Sequence, residues 1–131
     1  MTIEERAELA ATLKQQHGTN CCQAVLLALQ DQMKFTEEEL RVLGAGFGLG
    51  LGNMEGTCGA LIGAAIALGL NTNGDKAAVR ALNEEFKERC GAITCEDIKG
   101  RFTGKITCSC EDCCRNAVRA YEDILNKIWF P

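Results

Sequence analysis

The chain has 131 residues, which fits one domain of the common size of about 100–150 residues, read here as a single cysteine-rich helical domain over 1–131. A composition of 47% hydrophobic and 24% charged residues is globular and excludes a disordered chain. With 14 Lys and Arg against 18 Asp and Glu, the net charge of −4 argues against nucleic acid or an anionic membrane surface as a partner.

The start, Met1-Thr2-Ile3-Glu4-Glu5-Arg6, is charged and shows no apolar signal region, so the chain is read as cytoplasmic. The longest apolar run covers 13 residues, 58–70. A span needs about 20, so no membrane insertion is expected. Nine cysteines are too many for packing to explain without argument, and an odd number cannot pair completely within the chain. In a reducing compartment such clusters point to metal binding or redox catalysis rather than to structural disulfides.

In chain order, helical periodicity dominates and strict alternation is scarce. Residues 3–16 carry a modest stripe of Ile3, Ala7, Ala10, Ala11 and Leu13, stopped at Gly18. Residues 21–33 place Cys21, Ala24, Val25, Ala28 and Leu29 at helical spacing behind Asn20 as N-cap. Thr36-Glu37-Glu38-Glu39 is a capping box that opens a helix through Leu43. Glycine then alternates from Gly44 to Gly52, which predicts close backbone packing or unusual dihedrals. Residues 58–70 predict a helix apolar on nearly every face, and therefore central. A turn at 71–74 leads to an amphipathic helix over 75–90, with Ala78, Leu82, Glu85 and Phe86 along one side. A short helix or turn follows at 94–99, a loop with a short extended piece at 100–107, and a last helix at 110–128. Ala117, Val118, Tyr121, Ile124, Leu125 and Ile128 form the core stripe of that last helix. The expected fold is an all-α bundle of five to six helices around a central small-residue-rich helix.

Four cysteines follow residues of N-cap type: Cys21 after Asn20, Cys58 after Thr57, Cys95 after Thr94 and Cys110 after Ser109. Each is predicted at the first position of a helix, where unpaired N–H groups and the dipole favour a thiolate. Glu55, Glu96, Asp97, Glu111 and Asp112 oppose that effect. The competing reading is that small residues gather at helix starts. In Cys108-Ser109-Cys110-Glu111-Asp112-Cys113-Cys114, the pair Cys110 and Cys113 has the C-x-x-C spacing that chelates a metal or closes a small disulfide. Cys110, Cys113 and Cys114 share one helical face, and three thiols in one turn exceed what packing needs. Gly59, Gly63 and Ala67 recur every four residues and bare one side of the central helix to a close backbone neighbour. Gly59 and Gly63 are accordingly the candidate cofactor-binding glycines beside Cys58.

These residues together resemble the C-GCAxxG-C-C family of small bacterial redox-active proteins. The resemblance is carried by Asn20-Cys21-x-x-Ala24-Val25, the Gly46-Phe47-Gly48 stretch, Cys58-Gly59-Ala60-x-x-Gly63-Ala64, Cys95, and Cys114 with Val118, Ala120, Ile124 and Leu125 behind it. It spans about residues 20–125. By resemblance the four family cysteines, catalytic and metal-ligating, fall on Cys21, Cys58, Cys95 and Cys114. Cys22, Cys90, Cys108, Cys110 and Cys113 are additional. The family is described as redox-active and is often encoded near oxidoreductases or transporters. The resemblance therefore implies an oxidoreductase or electron-transfer protein as partner. A related domain in a haem protein with an iron–sulfur centre implies a cysteine-ligated cluster, although no C-x-x-C-H haem site is present here.

Three chemistries follow. The first is an iron–sulfur centre for electron transfer on Cys21, Cys58, Cys95 and Cys114, with Cys110 and Cys113 as further metal candidates. The second is metal-free dithiol–disulfide chemistry on pairs such as Cys21–Cys58 or Cys110–Cys113. The third is a structural zinc site using Cys108, Cys110, Cys113 and one more ligand. An adaptor subunit of an oxidoreductase with incidental cysteines is a fourth reading. Gly46-Phe47-Gly48-Leu49-Gly50 lacks the preceding strand of a nucleotide loop. His17, the single histidine, reads as a surface cap beside Gly18. Glu55 reads as a solvated carboxylate before it reads as a proton acceptor for Cys58. Trp129 and Phe130 either cover the core or form a partner patch, which leaves a homodimer open. One histidine and no nucleophile elbow leave no Ser-His-Asp constellation.

Overall fold

Three reciprocal caps fix where the first helices begin. The computed structural model describes residues 1–16 and 18–129, the last of these by its backbone alone. Helix α1 (Ile3–Gln15) opens on Thr2 with Glu5 closing the capping box. Helix α2 (Cys21–Ala28) opens on Asn20 with Gln23, and α3 (Glu37–Gly44) on Thr36 with Glu39. Each cap satisfies otherwise unpaired N–H groups and contributes about 1 kcal/mol. The chain continues through α4 (Gly59–Asn71), α5 (Lys76–Cys90), α6 (Cys95–Lys99) and α7 (Cys110–Trp129). The architecture is all-α, with seven helices and no strand among the described residues. The count exceeds the expected five to six because residues 95–99 close a full turn between the Thr94 cap and Gly100, which ends it in the left-handed region at φ 72°.

Two boundaries differ from the periodicity. The helix expected over 21–33 stops at Ala28. Leu29 bonds back to both Val25 and Leu26, and the chain tightens into a 3₁₀ turn at Gln30–Gln32. The helix expected from 58 begins at Gly59, because Cys58 is its cap. The central helix is also less enclosed than its composition suggests. Ala60, Gly63, Ala64, Ala67 and Leu68 are buried, but Ile62, Ala65 and Ile66 are half-buried and Leu70 is exposed.

Helix α7 lies along α1, α4 and α5, and α4 also packs on α2 and α5. The shared core contains Ala7, Ala10, Val25, Leu29, Leu61, Leu68, Leu82, Phe86, Val118, Tyr121 and Ile124. A smaller cluster of Cys22, Leu26, Leu27 and Leu40 seats α3 on α2. Gly63 has Val25 and the Cys22 carbonyl within about 3.0–3.2 Å of where a Cβ would sit, so the bare face of α4 is occupied by α2 itself. Tyr121 is fully buried, and its hydroxyl accepts from Asn71 Nδ2 at 2.9 Å, tying α4 to α7. No described helix is long and apolar enough to cross a membrane. The expectations for His17, for Phe130 and for the side chain of Trp129 lie outside the described residues.

Candidate metal and redox centre

The cysteines are gathered by backbone pairing as much as by helix caps. Thr57 and Thr94 form an antiparallel bridge. Around it, Cys58 N–H donates to Ile93 O at 2.7 Å and Cys95 N–H to Gly56 O at 3.0 Å. The two cysteines are thus fixed by the same short pairing. Glycine lets the loop before it close. Gly50, at φ 55°, sits where a Cβ would be 2.6 Å from Cys95 Cβ, and a Cβ on Gly59 would be 2.4 Å from Phe47 O. Leu49, Leu51 and Met54 also hold positive φ, so the alternating glycines expected to need unusual dihedrals share them with their neighbours. Asn20 anchors the other side. Its Oδ1 caps α2, while its Nδ2 donates to Gly44 O at 3.0 Å.

These elements enclose a cavity of about 270 Å³. Sulfur-bearing residues Cys21, Cys58, Cys95, Cys110 and Cys113 line it, together with Lys14 and Lys99. Lys99 Nζ donates to Cys110 Sγ at 2.9 Å. Cys114 does not line the cavity. It is fully buried behind Cys21, with its thiol 3.9 Å from the Cys21 carbonyl oxygen. Gly59 lines the cavity, whereas Gly63 does not. Glu55 is exposed and also away from it, as a solvated carboxylate would be.

A second group adjoins the first. The sulfurs of Cys90, Cys108 and Cys113 all lie within 4.8 Å of one another. Cys113 belongs to both groups: it lines the cavity with Cys58 and sits beside Cys90, while its own Sγ–H faces the Cys108 carbonyl oxygen at 4.0 Å. Asn116 Nδ2 faces Cys90 Sγ at 3.7 Å and Cys108 Sγ at 3.9 Å. Cys110 points to Lys99 and Cys21 instead, so Cys108, Cys110 and Cys113 do not assemble as one zinc set. No disulfide is formed among the described residues. The thiol contacts join Cys21 with Cys110 and Cys58 with Cys113, not the pairs suggested by spacing.

Of the four cysteines expected at first helical positions, Cys21, Cys95 and Cys110 are there, and Cys58 is one residue earlier. Their titration departs from the simple cap argument. Cys110 is pushed well above the usual thiol range by the neighbouring Cys21 and by burial, against the pull of Lys99. At Cys21 the Cys110 thiol pulls downward, but the contact with Cys114 and burial outweigh it. Burial likewise raises Cys95 despite Lys99. Cys58 moves the other way. The neighbouring Cys113 thiol lowers it first, and the N–H groups of Ala60 and Leu61 favour its thiolate without forming a regular side-chain cap. Cys90 is lowered by Cys113 first, then by Cys108 and Asn116. Burial and thiol–thiol contact therefore outweigh the helix ends, whose influence falls off within one turn.

The donor chemistry fits a thiophilic metal. The cavity lining offers sulfur and two ammonium groups and contains no carboxylate or imidazole among the described residues. Soft thiolate sets select iron–sulfur clusters, zinc or cuprous ion, and lysines offset the negative charge of several thiolates. Sequence reasoning missed Lys99, although its position four residues after Cys95 on a helix was the available signal. It also missed Cys90 as a partner of Cys108 and Cys113, for which no local signal exists.

No curated protein and no solved structure matches the chain. The family model described as "Putative redox-active protein (C_GCAxxG_C_C)" matches residues 19–124, which include every cysteine of both sulfur groups, and the chain belongs to that family.

Proposed function

We propose that the cavity thiols hold an iron–sulfur centre and that the protein transfers electrons to or from an oxidoreductase. The observation that carries this reading is the meeting of five cysteines from four separate stretches on one cavity flanked by two lysines. Cys21, Cys58, Cys95 and Cys110 are the ligands this reading assigns. Cys114, the family position, supports Cys21 from behind. When bound, the cluster supplies a one-electron couple. The chain's own part is to supply deprotonated sulfur, to exclude bulk water with the 48–59 loop, and to balance charge through Lys14 and Lys99. Loading requires loss of the thiol protons, so the raised thiols make it pH-dependent.

The test is anaerobic purification followed by iron and sulfide analysis and visible absorption. Stoichiometric iron and sulfide with a charge-transfer band is expected, abolished in C58S and C95S and retained in C22S, since Cys22 lies off the cavity. Colourless, iron-free protein after anaerobic reconstitution would overturn the reading.

The thiol contacts favour metal-free dithiol chemistry as a second reading. Cys58 and Cys113 are neighbouring thiols on the cavity, with the first lowered and the second raised. Oxidation there would form one S–S bond and release two protons and two electrons to a disulfide or quinone-class acceptor. A thiol count that falls by at least two on mild oxidation and returns on reduction supports this reading. An unchanged count removes it.

A further inference from the structure

We propose that Cys90, Cys108 and Cys113 form a three-sulfur site, adjoining the cavity through Cys113, for a single soft, low-coordination cation of the cuprous type. Their sulfurs are mutually within 4.8 Å before any ion is bound. A metal–sulfur distance of about 2.3 Å in a planar three-coordinate site separates the sulfurs by about 4 Å, so only a small side-chain contraction is needed. The trio has two anchors on α7 and its approach and one at the end of α5. Gly91 ends α5 in the left-handed region, and Thr107 Oγ1 donates to Cys90 O at 2.7 Å, which fixes the two segments against each other.

The coordination number follows from what surrounds the sulfurs: Cys58 is a further thiol beside Cys113, but it falls outside the group whose sulfurs all lie within 4.8 Å of one another. Asn116 turns its Nδ2 donor toward Cys90 and Cys108, while its Oδ1 accepts from Arg119 Nη1 at 3.2 Å. The amide therefore steadies thiolates from outside and does not supply a fourth ligand. Cys90 and Cys113 are 1% and 2% exposed, which leaves little room for a metal-bound water. Zinc strongly prefers four ligands, whereas cuprous ion is satisfied by soft sulfur alone. Cys108 is half-buried and gives the ion its entry. Each metal–sulfur bond formed releases one thiol proton to solvent, and no electron moves. The site shares Cys113 with the cavity, but Cys90 and Cys108 do not line it, so substitutions at 90 and 108 test the trio apart from the cavity reading.

The test supplies cuprous ion anaerobically from a coloured cuprous chelator to the full-length, fully reduced protein. Wild type and C95S are expected to withdraw the first equivalent with equal affinity. C90S and C108S should weaken that equivalent by more than roughly tenfold, and N116A by roughly 10–100-fold, the usual effect of losing an outer-shell partner. X-ray absorption at the copper edge should show three sulfur neighbours. Circular dichroism checks the fold, and C108S alone decides the matter if the buried C90S variant does not fold. Unchanged affinity in C108S, equal weakening in C95S, or four sulfur neighbours would each overturn the proposal.

Discussion

Gly50 sits directly beneath Cys95, so closely that a Cβ at position 50 would be 2.6 Å from Cys95 Cβ. The loop over 50–56 is tied there by Gly56 N–H donating to Gly50 O at 2.9 Å and by Glu96 N–H donating to Met54 O at 2.8 Å. Gly50 has φ 55° and Gly52 has φ 92°, but nothing lies within 4 Å of a Cβ at 52. The pair separates backbone strain from lost space. Gly52→Ala should cost about 1–2 kcal/mol, the penalty of a left-handed residue. Gly50→Ala should cost that and a further ~1–3 kcal/mol for overpacking, and should displace Cys95. Urea midpoints and Cys95 alkylation rates check both. Equal effects of the two substitutions would remove the close approach from the explanation.

What was legible in the sequence was local. The caps at Asn20 and Thr36 are patterns within four residues, and the structure forms them as expected. The helical character of 75–90 and 110–128 was equally plain, because an amphipathic stripe repeats every turn. Cys58 was misplaced by one residue because its own N–H donates to Ile93 O beside the Thr57–Thr94 bridge and holds it outside the helix, a pairing distant in sequence that no local pattern encodes. The sulfur groups were legible only as an excess of cysteine. Cys90 looks like an ordinary buried residue at a helix end until α5 and α7 meet. The direction of the thiol shifts was missed for the same reason. Caps are visible in one dimension, whereas burial and neighbouring thiols require three.

Lys99 is the one ammonium bonded directly to a cavity thiol among the described residues, at 2.9 Å from Cys110 Sγ. Its charge opposes the upward push that Cys21 and burial exert on Cys110. Lys99→Met removes the opposition, so the thiolate fraction of Cys110 falls at any given pH. Alkylation of Cys110 by iodoacetamide at pH 8.5 should slow roughly three- to tenfold, while Lys99→Arg should retain most of the rate. Mass-spectrometric rates resolved by residue are the measurement. Equal rates in Lys99→Met and wild type would mean that the contact does not tune the thiol.

Cys22 is fully buried and pushed up to about 12, chiefly by burial and then by Cys58. A folded-state value above the unfolded one means that the native state holds its proton longer. Stability from this source is complete below the unfolded value of about 8.5 and is lost as pH rises toward the folded one. Cys108, also raised to about 12, acts in the same direction, while the lowered Cys58 and Cys90 act against it. The metal-free, reduced protein should therefore lose stability between pH 8 and pH 11. Cys22 alone should account for about 1–2 kcal/mol by pH 10, and Cys22→Ala should flatten the curve by that amount. Anaerobic urea melts across this range test it. A stability that rises over the same range would contradict the assignment.

Arg6 binds two carboxylates at once and joins α1 to α7. Its Nη2 is 2.7 Å from Asp31 Oδ2, and its Nη1 bonds Glu122. Glu122 is 5% exposed, and its Oε2 has no hydrogen-bond partner among the described residues. Burial raises its carboxyl above the usual range and Arg6 pulls it back. Arg6→Leu would leave a buried, uncompensated carboxylate, so a loss of about 3–5 kcal/mol is expected at pH 8. The loss should shrink toward pH 4.5. With Arg6 gone the folded carboxyl titrates still higher, and the native state regains stability wherever Glu122 is protonated. Arg6→Leu combined with Glu122→Leu should recover most of the deficit at every pH, because well-packed apolar residues replace buried ion pairs at little cost. Thermal or urea melts of the two variants at pH 4.5 and pH 8 decide it. A deficit independent of pH, or one that the double substitution does not repair, would place the cost in lost packing of the Arg6 stem and not in the stranded charge.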